Sequence, residues 1–173
     1  SNSYLYKYCE SSNLRQQKKR TICLFDCDDS RFVAKCQEED KLYKYWGNNL
    51  YSCILPKPAH RGFDEICIEH FYTDEVLCRE SNKHRRIYLS NEFDPITGKH
   101  RTEDLIMRKR TDAKSSYPKI IDSGVFKPNG ENVALSKNDF ANLIATRNAP
   151  FHDISFEEFR PIFELLSRIV NAA

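Results

Sequence analysis

The chain has 173 residues, 40% of them hydrophobic and 12% aromatic, and a formal net charge of +2 at pH 7. This is enough apolar material for one packed core, so we expect a single domain over residues 1–173. No run approaches the roughly 18 apolar residues of a membrane span, and no secretory signal opens the chain, which excludes a membrane-embedded protein and favours a cytoplasmic one. Ser1-Asn2-Ser3 is typical of an expression-tag remnant, which would make the chain a piece of a longer protein.

The seven cysteines form an odd set, and several lie inside apolar runs, where a thiol behaves as a small hydrophobe. We therefore expect reduced cysteines rather than disulfides. The chain has no Cys-x-x-Cys pair and its five histidines are scattered, so the spacing does not favour a zinc site.

The first part of the chain predicts a strand, helix, strand order. Thr21–Phe25 is a short apolar run closed by acidic residues, as in a buried parallel strand. Residues 38–46 mix helix formers with apolar residues before Gly47 and are predicted to form a crossover helix. Residues 49–55 form a second strand that Pro56 ends. The fold class that follows is α/β, with a Rossmann-like, mainly parallel sheet flanked by helices over residues 20–90.

The remaining segments predict a more varied structure. Residues 65–78 are expected to be mainly helical, residues 91–118 to form a basic loop or mobile insertion, and residues 119–126 to form a late strand or hairpin arm. Ser136 and Asp139 indicate a capping box that starts a helix through Ala145. A C-terminal helix is predicted from Arg160, after a separate turn over residues 155–159.

Basic residues are concentrated in two places. Residues 79–119 contain eleven Lys or Arg against six Asp or Glu, and a second run lies at Arg15, Lys18, Lys19 and Arg20. Such runs attract phosphate backbones, although a solvated surface has the same composition. The candidate nucleic-acid-binding residues are Lys99, Arg101, Arg108, Lys109 and Arg110.

The cluster Asp26-Cys27-Asp28-Asp29 follows the first predicted strand. Alternate residues of an extended chain point the same way, so Asp26 and Asp28 could hold a divalent cation together. Asp is also an ordinary residue at a strand end, where the chain turns. Mutual repulsion of three carboxylates, which a bound Mg²⁺ would relieve, favours the functional interpretation.

Two further residues are candidates for the same chemistry. Lys137 is the first residue of a predicted helix, where the helix dipole disfavours a cation, and an anionic ligand such as a phosphate would explain it. A lysine that simply points into water is the alternative. Glu65 and Glu69, one helical turn apart, could add metal ligands or could line a solvated face.

Five short motifs spread over residues 20–170 resemble the Toprim nuclease part of overcoming-lysogenization-defect-like proteins, in which an ABC-type ATPase precedes a C-terminal Toprim domain. They are Leu24-Phe-Asp-Cys-Asp28, Ile54-Leu-Pro-Lys57, Gly62 with Ile68-Glu-His-Phe71, Leu135-Ser-Lys-Asn-Asp-Phe-Ala141, and Phe156-Glu-Glu-Phe-Arg-Pro-Ile-Phe163.

The resemblance implies cleavage of DNA or RNA phosphodiesters with Mg²⁺ or Mn²⁺. It makes Asp26 and Asp28 catalytic metal ligands, Glu69 a further ligand, and Lys137 a stabiliser of phosphate charge. The expected partners are nucleic acid and the ATPase domain of the parent chain. No membrane contact is expected, and a homo-oligomer is a possible assembly. Toprim sites also use a glutamate on an upstream strand, whereas only about 25 residues precede Asp26 here and Glu10 has no strand-like setting.

Two other functions compete with a nuclease. The Asp26-x-Asp28 pattern also resembles haloacid-dehalogenase-like phosphatases, in which the first Asp is a nucleophile, but Ser30 stands where that family usually has Thr or Val. The third hypothesis is a non-catalytic module that binds nucleic acid or a partner through its basic loop.

Overall fold

The computed structural model describes residues 2–171, and its internal contacts group the chain into two compact units. The first unit comprises Ser1–Phe71 with Phe156–Ala173, and the second comprises Tyr72–Ser155. That the whole chain forms a single domain stays a prediction. None of the helices between residues 2 and 171 is both long and apolar enough to cross a bilayer.

The chain is mixed α/β. Its α-helices are α1 (Asn2–Ser12), α2 (Ser30–Cys36), α3 (Asp74–Leu77), α4 (Lys137–Ala145) and α5 (Arg160–Asn171). Its strands are β1 (Thr21–Phe25), β2 (Tyr43–Gly47), β3 (Leu50–Ile54), β4 (Tyr88–Leu89), β5 (Ile106–Met107), β6 (Ile120–Ile121) and β7 (Val125–Phe126). Short 3₁₀ helices lie at Ile68–Phe71, Ser90–Glu92, Asp112–Lys114 and Glu157–Phe159.

The first unit is built on a three-stranded sheet in the order β1-β3-β2. β1 and β3 pair in parallel, from Thr21 opposite Leu50 to Phe25 opposite Ile54, which confirms the two strands predicted from their apolar runs. β2 pairs with β3 antiparallel. The sheet is therefore small and mixed.

Helices cover both faces of this sheet. Alternate residues of a strand face opposite ways, so Cys23 and Phe25 pack on the side of α1 and α2, next to Cys9 and Cys36. Their neighbours in β1 face the other way, and the core on that side includes Leu165 and Ile169 of α5. All seven cysteines are free thiols, and most of them are buried as small apolar side chains.

The helix predicted for residues 38–46 is wrong. Residues 43–47 form β2, and the helix between the parallel strands is α2, which begins directly after the acidic cluster. Tyr and Trp favour strands, and Asn48 and Asn49 both have positive φ (51° and 65°), which is the geometry of a two-residue hairpin turn. The Asn-Asn pair is the local signal of this hairpin.

The helical prediction for residues 65–78 is correct only for two short pieces, Ile68–Phe71 and α3. Thr73 caps α3, since its hydroxyl accepts the backbone N–H of Val76 at 3.4 Å. Within this segment Ile66, Phe71 and Leu77 are buried, whereas Ile68 is 37% exposed.

The second unit contains two two-stranded antiparallel sheets, β4 with β6 and β5 with β7. Its core includes buried side chains from the segment predicted to be a loop, which are Phe93, Leu105, Met107 and Ala113. Residues 91–118 are thus anchored by a few apolar side chains within a polar sequence. The late strand or hairpin arm predicted for residues 119–126 is divided into two short strands, β6 and β7, which pair in different sheets.

The predicted helix boundaries of the last third are confirmed. Ser136 caps α4, with its Oγ accepting the backbone N–H of Asp139 at 3.1 Å. α5 begins at Arg160, after the separate 3₁₀ turn Glu157–Phe159. Pro161 occupies the first turn of α5, where a missing N–H costs no hydrogen bond.

Candidate functional site at the end of strand β1

The acidic cluster lies where β1 ends and α2 begins, as the sequence predicts. Asp26 is partly buried and Asp28 is exposed. Both line an open pocket of about 660 Å³, together with Asn2, Ser3, Asp29, Arg31, Phe32 and Lys35. The first unit therefore brings the two predicted carboxylates to one pocket.

Asp26 also joins this pocket to the segment that carries Glu69. Its Oδ1 accepts the backbone N–H of Ile68 at 3.3 Å, and Glu69 is the next residue. Glu69 is buried in the 3₁₀ turn, with 9% of its surface exposed, which contradicts the alternative of a solvated face. Glu65 is partly buried before this turn.

Asp28 accepts a hydrogen bond from the side chain of Asn2, whose Nδ2 lies 3.4 Å from its Oδ1 and 3.1 Å from the carbonyl oxygen of Asp26. Helix α1 thus begins beside the acidic cluster. The upstream segment of the described chain contains this helix and no strand between residues 2 and 20, and Glu10 lies within the helix. An upstream strand with a glutamate, as in Toprim sites, is therefore absent from residues 2–20.

Asp29 forms the N-cap of helix α2. Its carboxylate receives two hydrogen bonds from the Arg31 guanidinium, at 2.9 Å and 2.6 Å. These bonds lower the pKa of Asp29. The carboxylate of Asp29 thereby serves the start of α2, and Asp29 also lines the pocket together with Asp26 and Asp28.

The thiol between the two aspartates is shielded. Burial, together with the nearby charge of Asp26, raises the pKa of Cys27 to about 12. Cys27 Sγ donates to the carbonyl oxygen of Leu55 at 3.3 Å, just beyond the end of β3. Cys27 thus points away from the pocket as a packing residue, consistent with its contacts in the core beneath the sheet.

Two cations in the pocket, Arg31 and Lys35, were not identified from the sequence. They lie four residues apart on α2, so they share one face of that helix. Their spacing directly after the Asp cluster is a signal that could have found them, had α2 been predicted. The pocket combines carboxylates with cations, a composition that suits a phosphate group and its counter-ion.

The pocket offers a divalent cation the carboxylates of Asp26 and Asp28. Among residues 2–171 no group of three or more His, Cys, Asp or Glu side chains forms a metal-binding cluster. Two carboxylates are nevertheless what Mg²⁺ commonly takes from a protein when waters and substrate phosphates complete its octahedral shell. Asp26 and Asp28 therefore fit an ion that is shared with a substrate, rather than a site that is complete by itself.

Lys137 lies in the second unit, as the first residue of α4. Its backbone N–H lies 3.5 Å from Oδ2 of Asp122, within that same unit. The carboxylate of Asp122 thus accepts one of the N–H groups that the start of a helix leaves without an intrahelical partner.

The five basic candidates are all exposed, and all lie in the second unit. Arg101 donates to the carbonyl oxygen of Asn91 at 3.0 Å, and Lys109 lies 3.9 Å from Asp112. Arg108 stands over the ring of Phe126, with 5.1 Å between its guanidinium carbon and the ring centroid. These side chains are accessible to a polyanion.

One histidine has a partner that the sequence did not reveal. His70 Nδ1 accepts the backbone N–H of Cys67 at 3.1 Å and lies 3.4 Å from its thiol. His70 is 2% exposed and Cys67 is 5% exposed, and the pair spans one turn. The imidazole thereby acts as a cap for a tight turn, inside the core.

No family model, curated protein or solved structure significantly matches this chain.

Proposed function

We propose that this chain is the Mg²⁺-dependent nuclease domain of a larger, defence-type ATPase. The observation that carries the proposal is the pocket at the end of β1, where Asp26 and Asp28 share one surface with Arg31 and Lys35. Carboxylates for a divalent cation and side chains for a phosphate are the two requirements of phosphodiester hydrolysis. The exposed basic side chains of the second unit support a nucleic-acid substrate.

The finer fold proposal is a Toprim-like, Rossmann-like architecture. It is supported by the parallel pairing of β1 with β3, by helices on both faces of the sheet, and by the acidic cluster at the carboxyl end of a strand. Open α/β sheets bind ligands at that end. The antiparallel β2 would then be an addition at the sheet edge.

Each residue has a distinct proposed role. Asp26 and Asp28 would hold the cation, and Glu69 would add a carboxylate from the neighbouring turn. A bound Mg²⁺ would supply charge neutralisation to the phosphate and the leaving oxygen. Arg31 and Lys35 would orient the phosphate, with Arg31 held in place by Asp29. Lys137 is proposed, from the resemblance alone, to stabilise phosphate charge.

The test is cleavage of plasmid DNA and of RNA with Mg²⁺ or Mn²⁺. It compares the chain with its Asp28→Asn variant, and repeats the comparison in any longer protein that the gene encodes. Asp40→Asn is the matched control, since Asp40 is an exposed carboxylate of the same unit outside the pocket. Loss of cleavage in Asp28→Asn alone, by about 100-fold or more, supports the proposal.

Other outcomes would contradict it. Cleavage that Asp28→Asn leaves unchanged would place the chemistry elsewhere. Hydrolysis of a small phosphate ester without cleavage of nucleic acid would favour the haloacid-dehalogenase-like phosphatase. Binding of nucleic acid or of a partner without any hydrolysis, in both the chain and the longer protein, would favour the non-catalytic module.

A further inference from the structure

Four extended segments of the second unit lie side by side. Ile106 of β5 is opposite Phe126 of β7, and isolated bridges add Lys99 beside Ile106 and Asn132 beside Phe126. Lys99, Ile106, Phe126 and Asn132 thus form one row across a small sheet. We call the side of this sheet that shows this row the outer face.

The two sides of the small sheet differ sharply in burial. Met107 and Val125, the alternate residues of β5 and β7, are 2% and 0% exposed and belong to the core. Ile106, in contrast, is 41% exposed. Arg108 follows Ile106 by two positions, so it lies on the same side, and its guanidinium stands over the Phe126 ring. The outer face therefore presents an apolar and aromatic surface with a stacked arginine.

The charge of this face is positive. A groove of about 450 Å³ runs along it, lined by Ile106, Met107, Arg108, Arg110, Phe126, Lys127 and Gly130. Lys127 is paired with Glu131 at 3.1 Å, but Arg108 and Arg110 form no salt bridge with any of residues 2–171. Two arginines without a carboxylate partner, two positions apart, favour an anionic ligand.

We propose that the outer face binds a single-stranded segment of nucleic acid, an inference that rests on the nucleic-acid substrate of the proposed function. A base stacks on the Arg108–Phe126 pair, while phosphates contact Arg110 and Lys99. Bases in a duplex are paired and stacked on each other, so an aromatic and guanidinium platform on a sheet gains most from unpaired bases. A surface that bound only duplex backbone would gain nothing from the exposed Ile106 and the partly buried ring of Phe126.

The experiment is fluorescence anisotropy in EDTA, which prevents metal-dependent cleavage, with labelled oligonucleotides of about ten nucleotides, single-stranded and duplex. The variants are Phe126→Leu, which keeps apolar volume without a ring, and Arg108→Gln, an exposed change that does not threaten the core. Lys83→Ala, an exposed lysine of the same unit, is the matched control. Circular dichroism verifies that each variant is folded.

We expect single strands to bind more tightly than duplex, and Phe126→Leu and Arg108→Gln to weaken single-strand binding by about 5- to 100-fold. Arg110→Ala should weaken it and lower the slope of log affinity against log salt by about one. Lys83→Ala should change the affinity for single strands by less than about threefold. The same variants should affect duplex binding less than single-strand binding.

Equal affinity for duplex and single strand, with no effect of either platform variant, would overturn the inference. So would tighter binding of an acidic peptide, such as polyglutamate, than of any oligonucleotide. Cleavage is measured separately, with the Asp28→Asn variant. If only the nuclease proposal is wrong, single strands still bind although nothing is cleaved. If only the outer-face inference is wrong, plasmid DNA is still cleaved with metal although the outer-face variants do not change binding.

Discussion

The guanidinium of Arg31 donates two hydrogen bonds to the carboxylate of Asp29, from Nε to Oδ1 at 2.9 Å and from Nη2 to Oδ2 at 2.6 Å. The same Oδ1 accepts the backbone N–H of Arg31 at 3.1 Å, which caps α2. Asp29 therefore has a local structural role at the start of α2.

The capping role of Asp29 predicts different stabilities for the Asp29→Ala and Asp29→Asn variants. Ala removes the cap of α2, so we expect a melting temperature a few degrees lower, whereas Asn is as good a cap as Asp and should change it little. Thermal unfolding followed by circular dichroism measures the difference. Equal melting temperatures for the two variants would show that the cap does not contribute.

Ser52 connects two elements of the first unit within its core. Its hydroxyl donates to the carbonyl oxygen of Cys36 at 2.7 Å and accepts the indole N–H of Trp46 at 2.8 Å. Ser52→Ala leaves both groups without this partner, so we expect the free energy of unfolding to fall by about 1–3 kcal/mol. Trp46 is the single tryptophan, and its fluorescence in a urea titration reports the change. Ser11→Ala, at an exposed position, is the control and should stay within about 0.5 kcal/mol.

The carboxylate of Glu92 makes the stability of the second unit depend on pH. Burial opposes its ionisation, but hydrogen bonds from Arg86 and from the backbone N–H of Leu89 outweigh burial, and the pKa of Glu92 lies below its ordinary value of 4.5. At a pH between the folded pKa of Glu92 and its ordinary pKa, the unfolded state binds more protons than the folded state. The stabilisation is therefore complete above about pH 5 and is lost as pH falls through the folded pKa.

Glu92→Gln should remove that part of the pH dependence. Because Gln cannot pair with the guanidinium of Arg86, we also expect about 2–3 kcal/mol less stability at pH 7. Urea unfolding between pH 7 and pH 3 measures both effects, with Glu75→Gln as an exposed control in the same unit. A wild-type protein and a variant with parallel stability curves over that range would contradict the assignment.

Cys53 is predicted to be unreactive in the folded protein. It is 0% exposed within β3, and burial raises its pKa to about 12. At pH 8 its thiolate fraction is then about 1,000-fold below that of a thiol with a pKa of 9, before steric exclusion is counted. Alkylation followed by peptide mass spectrometry should label Cys53 only in denaturant. Labelling at the rate of an unfolded control would show that β3 opens readily.

The turn between β2 and β3 should discriminate between residue types. Asn48 and Asn49 have φ of 51° and 65°, a region that β-branched residues avoid. We expect Asn49→Val to lower stability by at least about 1 kcal/mol more than Asn49→Gly, although both lose the hydrogen bond from Asn49 Nδ2 to the Gln17 carbonyl at 3.1 Å. Urea titrations of the two variants provide a matched comparison. Equal stability would mean that backbone conformation does not limit this turn.

The sequence by itself determined the elements whose signals are local. The apolar run before Asp26 predicted β1, the proline after Leu55 limited β3, and Ser136 with Asp139 marked the start of α4. In each case residues within a few positions of one another decide the outcome, through burial, a missing donor or a helix cap. The sequence also predicted that Asp26 and Asp28 share a face, and both line one pocket just after the end of β1.

Only the tertiary structure decided which partners these residues meet. Residues 43–47 have an ambiguous local pattern, and pairing with β3 makes them a strand. Arg31 and Lys35 join the acidic pocket because α2, rather than a later helix, follows β1. Ile106 and Phe126 lie opposite each other on the outer face because the register of β5 with β7 turns Met107 and Val125 inward. Such registers depend on contacts between distant segments, and a shift of one residue exchanges the two faces of a strand.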